Sequence, residues 1–88
     1  MYKTQATTTG TALFDKEVNL NALLLVAGSD AATAKLYEGT SASDPLICQI
    51  NAAIGTSESF YFKDPGEIVS KVFVVITGTS ANLSVIYS

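Results

Sequence analysis

Histidine, tryptophan and arginine are absent from this chain of 88 residues, and Cys48 is its single cysteine. One cysteine cannot form a disulfide within the chain, and without histidine it cannot complete a tetrahedral zinc site. The many serines and threonines have no histidine that could act as their general base, as nucleophilic catalysis needs. We therefore expect a protein that is not an enzyme and that uses no metal and no cofactor.

Charged residues are also scarce, at 15% of the chain, against roughly 25% in an average protein. The net charge is −3 and the five lysines stand singly, so no basic cluster could neutralise the phosphates of a nucleic acid. The low charge has two interpretations that the composition leaves open. Either a partner covers part of the surface, or serine, threonine and asparagine solvate it.

Long apolar runs are missing as well. The longest run, residues 22–27, is far below the ~20 residues of a membrane-spanning helix. The opening residues lack the basic and apolar regions of a secretory signal. We expect a soluble protein that is made inside the cell and that binds neither nucleic acid nor membrane.

Three copies of Gly-Thr-Ser punctuate the chain, at residues 39–41, 55–57 and 78–80. Glycine favours turns, while threonine and serine accept turn hydrogen bonds and then enter a strand easily. Between these turns apolar and polar residues alternate, which is the period of a strand with one buried face. The predicted strands are 18–27, 32–38, 46–52, 58–63, 68–77 and 83–87.

Short strands with closely spaced turns are typical of an all-β sandwich or barrel. We expect seven or eight strands in a small antiparallel β-sandwich, for which a jelly roll is one arrangement. Residues 1–10 are rich in threonine and are predicted to form an extended N-terminal arm or an edge strand. Residues 11–88 are predicted to form the single sandwich domain.

The alternation assigns strand residues to faces. The inward set, predicted to form the core, includes Val18, Leu20, Ala22, Leu24, Val26, Leu36, Leu46, Cys48, Ile50, Phe60, Val72, Val74 and Val85. Apolar residues then remain on outward faces, where a contiguous patch marks an interface. We predict a subunit interface at Leu23 and Leu25 and at Phe73 and Val75. The alternative is that loops or the N-terminal arm cap the faces of so small a sandwich.

Three segments give the chain a family likeness: Thr7-Thr8-Thr9-Gly10-Thr11-Ala12-Leu13-Phe14, Leu36-Tyr37-Glu38-Gly39-Thr40-Ser41-Ala42 and Val72-Phe73-Val74-Val75-Ile76-Thr77-Gly78-Thr79. In these it resembles the small all-β virion proteins of tailed bacteriophages, particularly the capsid decoration (cement) proteins. The resemblance implies a non-enzymatic subunit on the capsid exterior, made in the host cytoplasm. It also implies a homotrimer whose other partner is the major capsid protein.

The polar arm is expected to clamp capsid proteins by adding main-chain hydrogen bonds to a neighbouring sheet edge. Its predicted capsid-binding residues are Tyr2, Lys3, Thr4, Gln5, Thr7, Thr8 and Thr9. Two other functions stay open from the sequence. One is a tail, neck or fibre module that binds another virion protein or a host glycan, and the other is a small cytoplasmic enzyme subunit or ligand carrier.

Overall fold

The computed structural model describes residues 2–14, 16–63 and 66–88, and this part of the chain forms nine β-strands and no helix. The strands are β1 Tyr2–Ala6, β2 Thr11–Leu13, β3 Val18–Val26, β4 Ala32–Glu38, β5 Leu46–Ala52, β6 Ser57–Tyr61, β7 Glu67–Val69, β8 Val72–Thr77 and β9 Asn82–Tyr87. Met1 of the predicted arm lies outside the described residues.

The strands form two antiparallel sheets. Sheet A has the order β1-β9-β3-β6, with β7 also paired to β3, and sheet B has the order β2-β8-β4-β5. The pairs are nested: β1 pairs with β9, β2 with β8, β3 with β6 and β7, and β4 with β5. This nesting over two sheets is the arrangement of a jelly roll. The prediction of a small antiparallel β-sandwich is confirmed.

One apolar row of each sheet lies in the core between the sheets. The pattern is clearest in β4 and β8, where Ala34, Leu36, Val72 and Val74 are fully buried. Burying a valine or leucine side chain contributes about 1.5–3 kcal/mol, so these rows hold the sheets together. The strands β4 and β5 have the bounds that the alternation predicts.

The prediction of one strand over residues 68–77 is wrong. The segment Glu67–Val69 pairs with β3 in sheet A, whereas Val72–Thr77 pairs with β2 and β4 in sheet B. Ser70 and Lys71, both exposed, carry the chain from one sheet to the other. Alternation does not reveal the crossing, because the residues on either side of it are buried in the same core.

The strand β3 contains a β-bulge. Leu20 lies opposite Tyr87 of β9, but Ala22 lies opposite the next residue, Ile86, so Asn21 has no counterpart. One extra residue in a strand shifts every later side chain to the opposite face. The faces predicted for β3 from alternation are therefore correct up to the bulge and reversed after it.

The reversal corrects two pairs of residues. Leu23 and Leu25, predicted to face outward, are 1% and 0% exposed and belong to the core. Leu24 and Val26, predicted to face inward, lie on the outer face, where Val26 is 41% exposed. The four leucines and valines of this run are all apolar, so hydropathy alone could not show the change.

A second bulge reverses the beginning of β5. Leu36 lies opposite Cys48 and Tyr37 lies opposite Leu46, so Ile47 is the extra residue. Leu46, predicted to face inward, is 52% exposed. Ile47 instead packs against the core.

Candidate interaction surface

The outer face of sheet A carries large apolar side chains that the fold leaves in water. Tyr61 is 76% exposed, Ile68 is 59% exposed and Val26 is 41% exposed. They lie on β6, β7 and β3, on the face of sheet A that points away from the core. Single exposed apolar residues are ordinary, but several on one face suggest a binding surface.

The same face is deformed at the bulge of β3. The strands β6 and β7 run along one edge of β3 as two parts of an interrupted strand. Tyr61 pairs with Ala22, and β7 resumes the pairing opposite Leu20. The Phe62 amide donates a 3.0 Å hydrogen bond to the carbonyl of Asn21 where the ladder breaks. Bulges redirect side chains and are frequent beside functional sites.

We name the apolar residues around this deformation the bulge patch: Ala22, Leu24, Tyr61, Ile68 and Ile86. Ala22 lies between Ile86 and Tyr61 in one row across three strands. Leu24 lies two residues further along β3, and Ile68 lies on the other side of the interruption, opposite Asn19. Because the side chain of Ala22 is small, the surface is recessed between the larger side chains of Ile86 and Tyr61.

Polar residues border the bulge patch. Lys3 continues the row beyond Ile86, and Ser59 and Ser84 stand on either side of Leu24. The Asn21 amide Nδ2 donates a 3.2 Å hydrogen bond to Ser88 Oγ. An apolar centre with a polar rim is the usual composition of a protein–protein interface.

The subunit interface predicted from the sequence does not form one surface. Leu23 and Leu25 lie in the core beneath the bulge patch, where no second subunit can reach them. Phe73 and Val75 do face outward as predicted, but on sheet B, and both are half-buried. Phe73 lies beside Tyr37 there.

The predicted arm is the edge strand of the chain's own sheet A. Residues Tyr2–Ala6 form β1, and every residue of β1 is paired with a residue of β9. Thr9 is fixed to sheet B, because its hydroxyl donates to the Ile76 carbonyl at 2.6 Å and accepts from the Ile76 amide at 3.0 Å. A clamp made from this segment would first have to leave β9, so its capsid-binding role stays a prediction.

Reactive groups give no competing site among the described residues. Burial, and secondly the charge of Glu67, raise the pKa of the Cys48 thiol to about 11, which leaves it un-ionised and poorly nucleophilic at neutral pH. The described ranges enclose no pocket and hold no group of three or more metal-ligating side chains. They also contain no helix of the length and hydropathy that crossing a membrane requires.

Tyr61 and Ile68 are the exposed residues of the candidate surface that alternation does not select. Alternation predicts that Ile68 belongs to one long strand over residues 68–77, and it does not show that Tyr61 lies near Ile68. A signal was present in β3, because polar Asn21 is followed by six apolar residues in succession, 22–27. Such a run does not specify which alternate residues face the core.

No protein-family model, no curated protein and no solved structure matches the chain.

Proposed function

We propose that this chain is a non-enzymatic structural subunit of a tailed-phage particle, which binds the capsid surface as a decoration protein. The observation that carries the proposal is the bulge patch, an apolar and nearly uncharged area on the outer face of sheet A. Tyr61 and Ile68, at 76% and 59% exposure, are its most accessible side chains. Burying them against a coat protein removes apolar surface from water and stabilises the complex.

The chemistry of the patch suits a protein partner better than a small ligand. Tyrosine is enriched among the residues that dominate binding energy in protein interfaces. The rim of serine and asparagine offers hydrogen bonds, and Lys3 is the one charged residue that the row across the patch reaches. The patch lies on strands that are already paired in the free chain, so little conformational entropy is lost in ordering it on binding.

Two further considerations support a virion subunit. Jelly rolls are frequent among viral capsid proteins, although a fold by itself does not specify a function. The sequence also resembles phage decoration proteins in its threonine-rich opening, its Tyr-Glu-Gly-Thr-Ser turn and its last apolar strands. The bulge patch adds a defined surface to these two analogies.

The first test is the abundance of the chain in purified phage particles, measured by quantitative mass spectrometry. A decoration protein is expected at a copy number comparable with that of the coat protein. A few copies per particle would favour a tail, neck or fibre module instead, and absence from particles would overturn the proposal.

The second test is co-sedimentation of the purified chain with capsids that lack it. We expect Tyr61→Ser and Ile68→Ser to weaken binding at least tenfold each, because each removes apolar contact, and tenfold corresponds to about 1.4 kcal/mol. The control is Thr33→Ala, an outward position on sheet B. Equal binding by all three variants would exclude the bulge patch as the contact surface.

A further inference from the structure

The strand β1 is held to the molecule mainly by its main chain. Of its five residues only Ala6 is buried, at 2% exposure, while Tyr2 is 66% exposed and Lys3 and Gln5 lie in solvent. The side chain of Gln5 makes one long hydrogen bond, 3.5 Å from its Nε2 to Ser84 Oγ. Any other copy of β1 could make the same backbone ladder, since these bonds depend little on the side chains.

The connection after β1 is short and firmly anchored at its far end. Thr9 is bound to Ile76 through both its donor and its acceptor, and the Gly10 amide donates a 2.9 Å hydrogen bond to the Val74 carbonyl. Only residues 7 and 8 lie between the end of β1 and this anchor. Exchange of an identical element between copies is a low-cost route to oligomers, and a short connection is one setting in which it occurs.

We propose that β1 is exchanged between copies of this chain, so that the β1 of one copy pairs with the β9 of the next. The exchanged strand keeps its five backbone pairs, from Tyr2 opposite Tyr87 to Ala6 opposite Leu83. Each copy gives one strand and receives one, so every β9 edge stays covered in a closed ring.

This inference deepens the proposed function, because it names the contact by which the subunits of a capsid-binding oligomer associate. It reassigns the polar segment at residues 2–6 from the capsid to a second copy of the chain. The structure favours β9 of a second copy as the partner of β1. The edge of β9 already has the register and the aromatic contact, Tyr2 on Tyr87 with ring centroids 5.6 Å apart, that β1 requires.

The test uses two single-cysteine variants, Gln5→Cys and Ser84→Cys, both carrying Cys48→Ala so that only the introduced thiols react. Gln5 and Ser84 are paired residues of β1 and β9 on the outer face. The two variants are mixed in denaturant, refolded together and oxidised. Exchange is expected to give a disulfide-linked dimer that contains one chain of each variant.

The matched control is the pair Lys35→Cys and Gln49→Cys, which are outward neighbours on β4 and β5. This hairpin lies within one chain, so the control mixture is expected to give no mixed dimer. The double variant, with Gln5→Cys and Ser84→Cys in one chain, tests the alternative that β1 pairs with β9 of its own chain. If it closes a disulfide within one chain while the mixture of single variants gives no mixed dimer, the exchange is overturned. Cys48→Ser replaces Cys48→Ala if the alanine variant does not fold.

Capsid binding separates this inference from the proposed function. Loss of strand exchange with capsid binding intact would overturn the exchange alone. A mixed dimer together with no capsid association would support the exchange and overturn the decoration function.

Discussion

Asn21 adds one residue to β3 relative to β9, and the side chains before and after it therefore follow different alternations. As a consequence, three consecutive leucines lie in two different environments. Leu23 and Leu25 fill the core, while Leu24 between them lies on the outer face in the bulge patch. The same residue type thus lies in the core at two positions and on the candidate interaction surface at the third.

These leucines give a prediction about stability. We expect Leu23→Ala and Leu25→Ala each to lower the free energy of unfolding by about 2–5 kcal/mol, because each leaves a cavity in the core. Leu24→Ala should cost about 1 kcal/mol or less, since its side chain is partly in solvent. Urea titration followed by circular dichroism measures all three. Equal losses at Leu23 and Leu24 would contradict the reversal of faces at the bulge.

At the scale of elements, the four edges of the sandwich are protected unequally. The strand β1 carries Lys3, β2 has three residues, and the β6–β7 edge is short, interrupted and carries Glu58 and Glu67. The strand β5 has seven residues and no charge. Its bulge at Ile47 is the one irregularity that disturbs it, and charges, short strands and bulges are the usual means of preventing edge-to-edge aggregation.

The interruption between β6 and β7 depends on Gly66. Its φ of +111° lies in a region that favours glycine, and a Cβ there would come within 2.5 Å of the Leu20 carbonyl oxygen. Gly55 has a φ of +68° but no atom within 4 Å of such a Cβ, which makes it the matched control. Gly55→Ala should cost about 1–2 kcal/mol from backbone strain alone.

We expect Gly66→Ala to destabilise the fold by clearly more than Gly55→Ala, because the main chain of β3 must also shift to make room. Both values follow from thermal or urea unfolding of the two variants. A Gly66→Ala variant as stable as Gly55→Ala would show that the interruption of the ladder tolerates a side chain, and that the geometry around Leu20 adapts to it.

At the scale of the whole molecule, small size limits how much surface the fold can bury. A chain of this length buries only about two-thirds of the surface that it exposes when unfolded, so association of copies that buried more surface would add to its stability. Exchange of β1 would make its five backbone pairs with β9 between copies instead of within one chain. The jelly-roll pairing permits it, because β1 is at the edge of sheet A and pairs with β9 alone.

The exchange predicts that thermal stability depends on concentration. Binding between folded copies stabilises the folded state by mass action, so Tm should rise with protein concentration. A variant without residues 2–6 should fold, with a lower Tm that does not change with concentration, because only Ala6 of that segment is buried. Differential scanning calorimetry over a wide concentration range, with light scattering for mass, makes the comparison. A monomeric full-length chain with a constant Tm would contradict the exchange.

Local chemistry in the sequence determined the class of structure. Gly-Thr-Ser turns and period-two alternation specify strands wherever apolar and polar residues differ, as in β4, because the backbone geometry of a strand sends successive side chains to opposite faces. Alternation also predicts the outward positions of Phe73 and Val75, since Val72 and Val74 identify the inner face of β8.

Tertiary structure decided what depends on a partner strand. The bulge at Asn21 exists only relative to β9, and the crossing at residues 70–71 exists only relative to two sheets. Neither changes the hydropathy of the residues involved, so Ala22–Val26 reads the same in either register. The bulge patch lies at this point, where long-range pairing rather than local sequence fixes which apolar side chains meet the solvent.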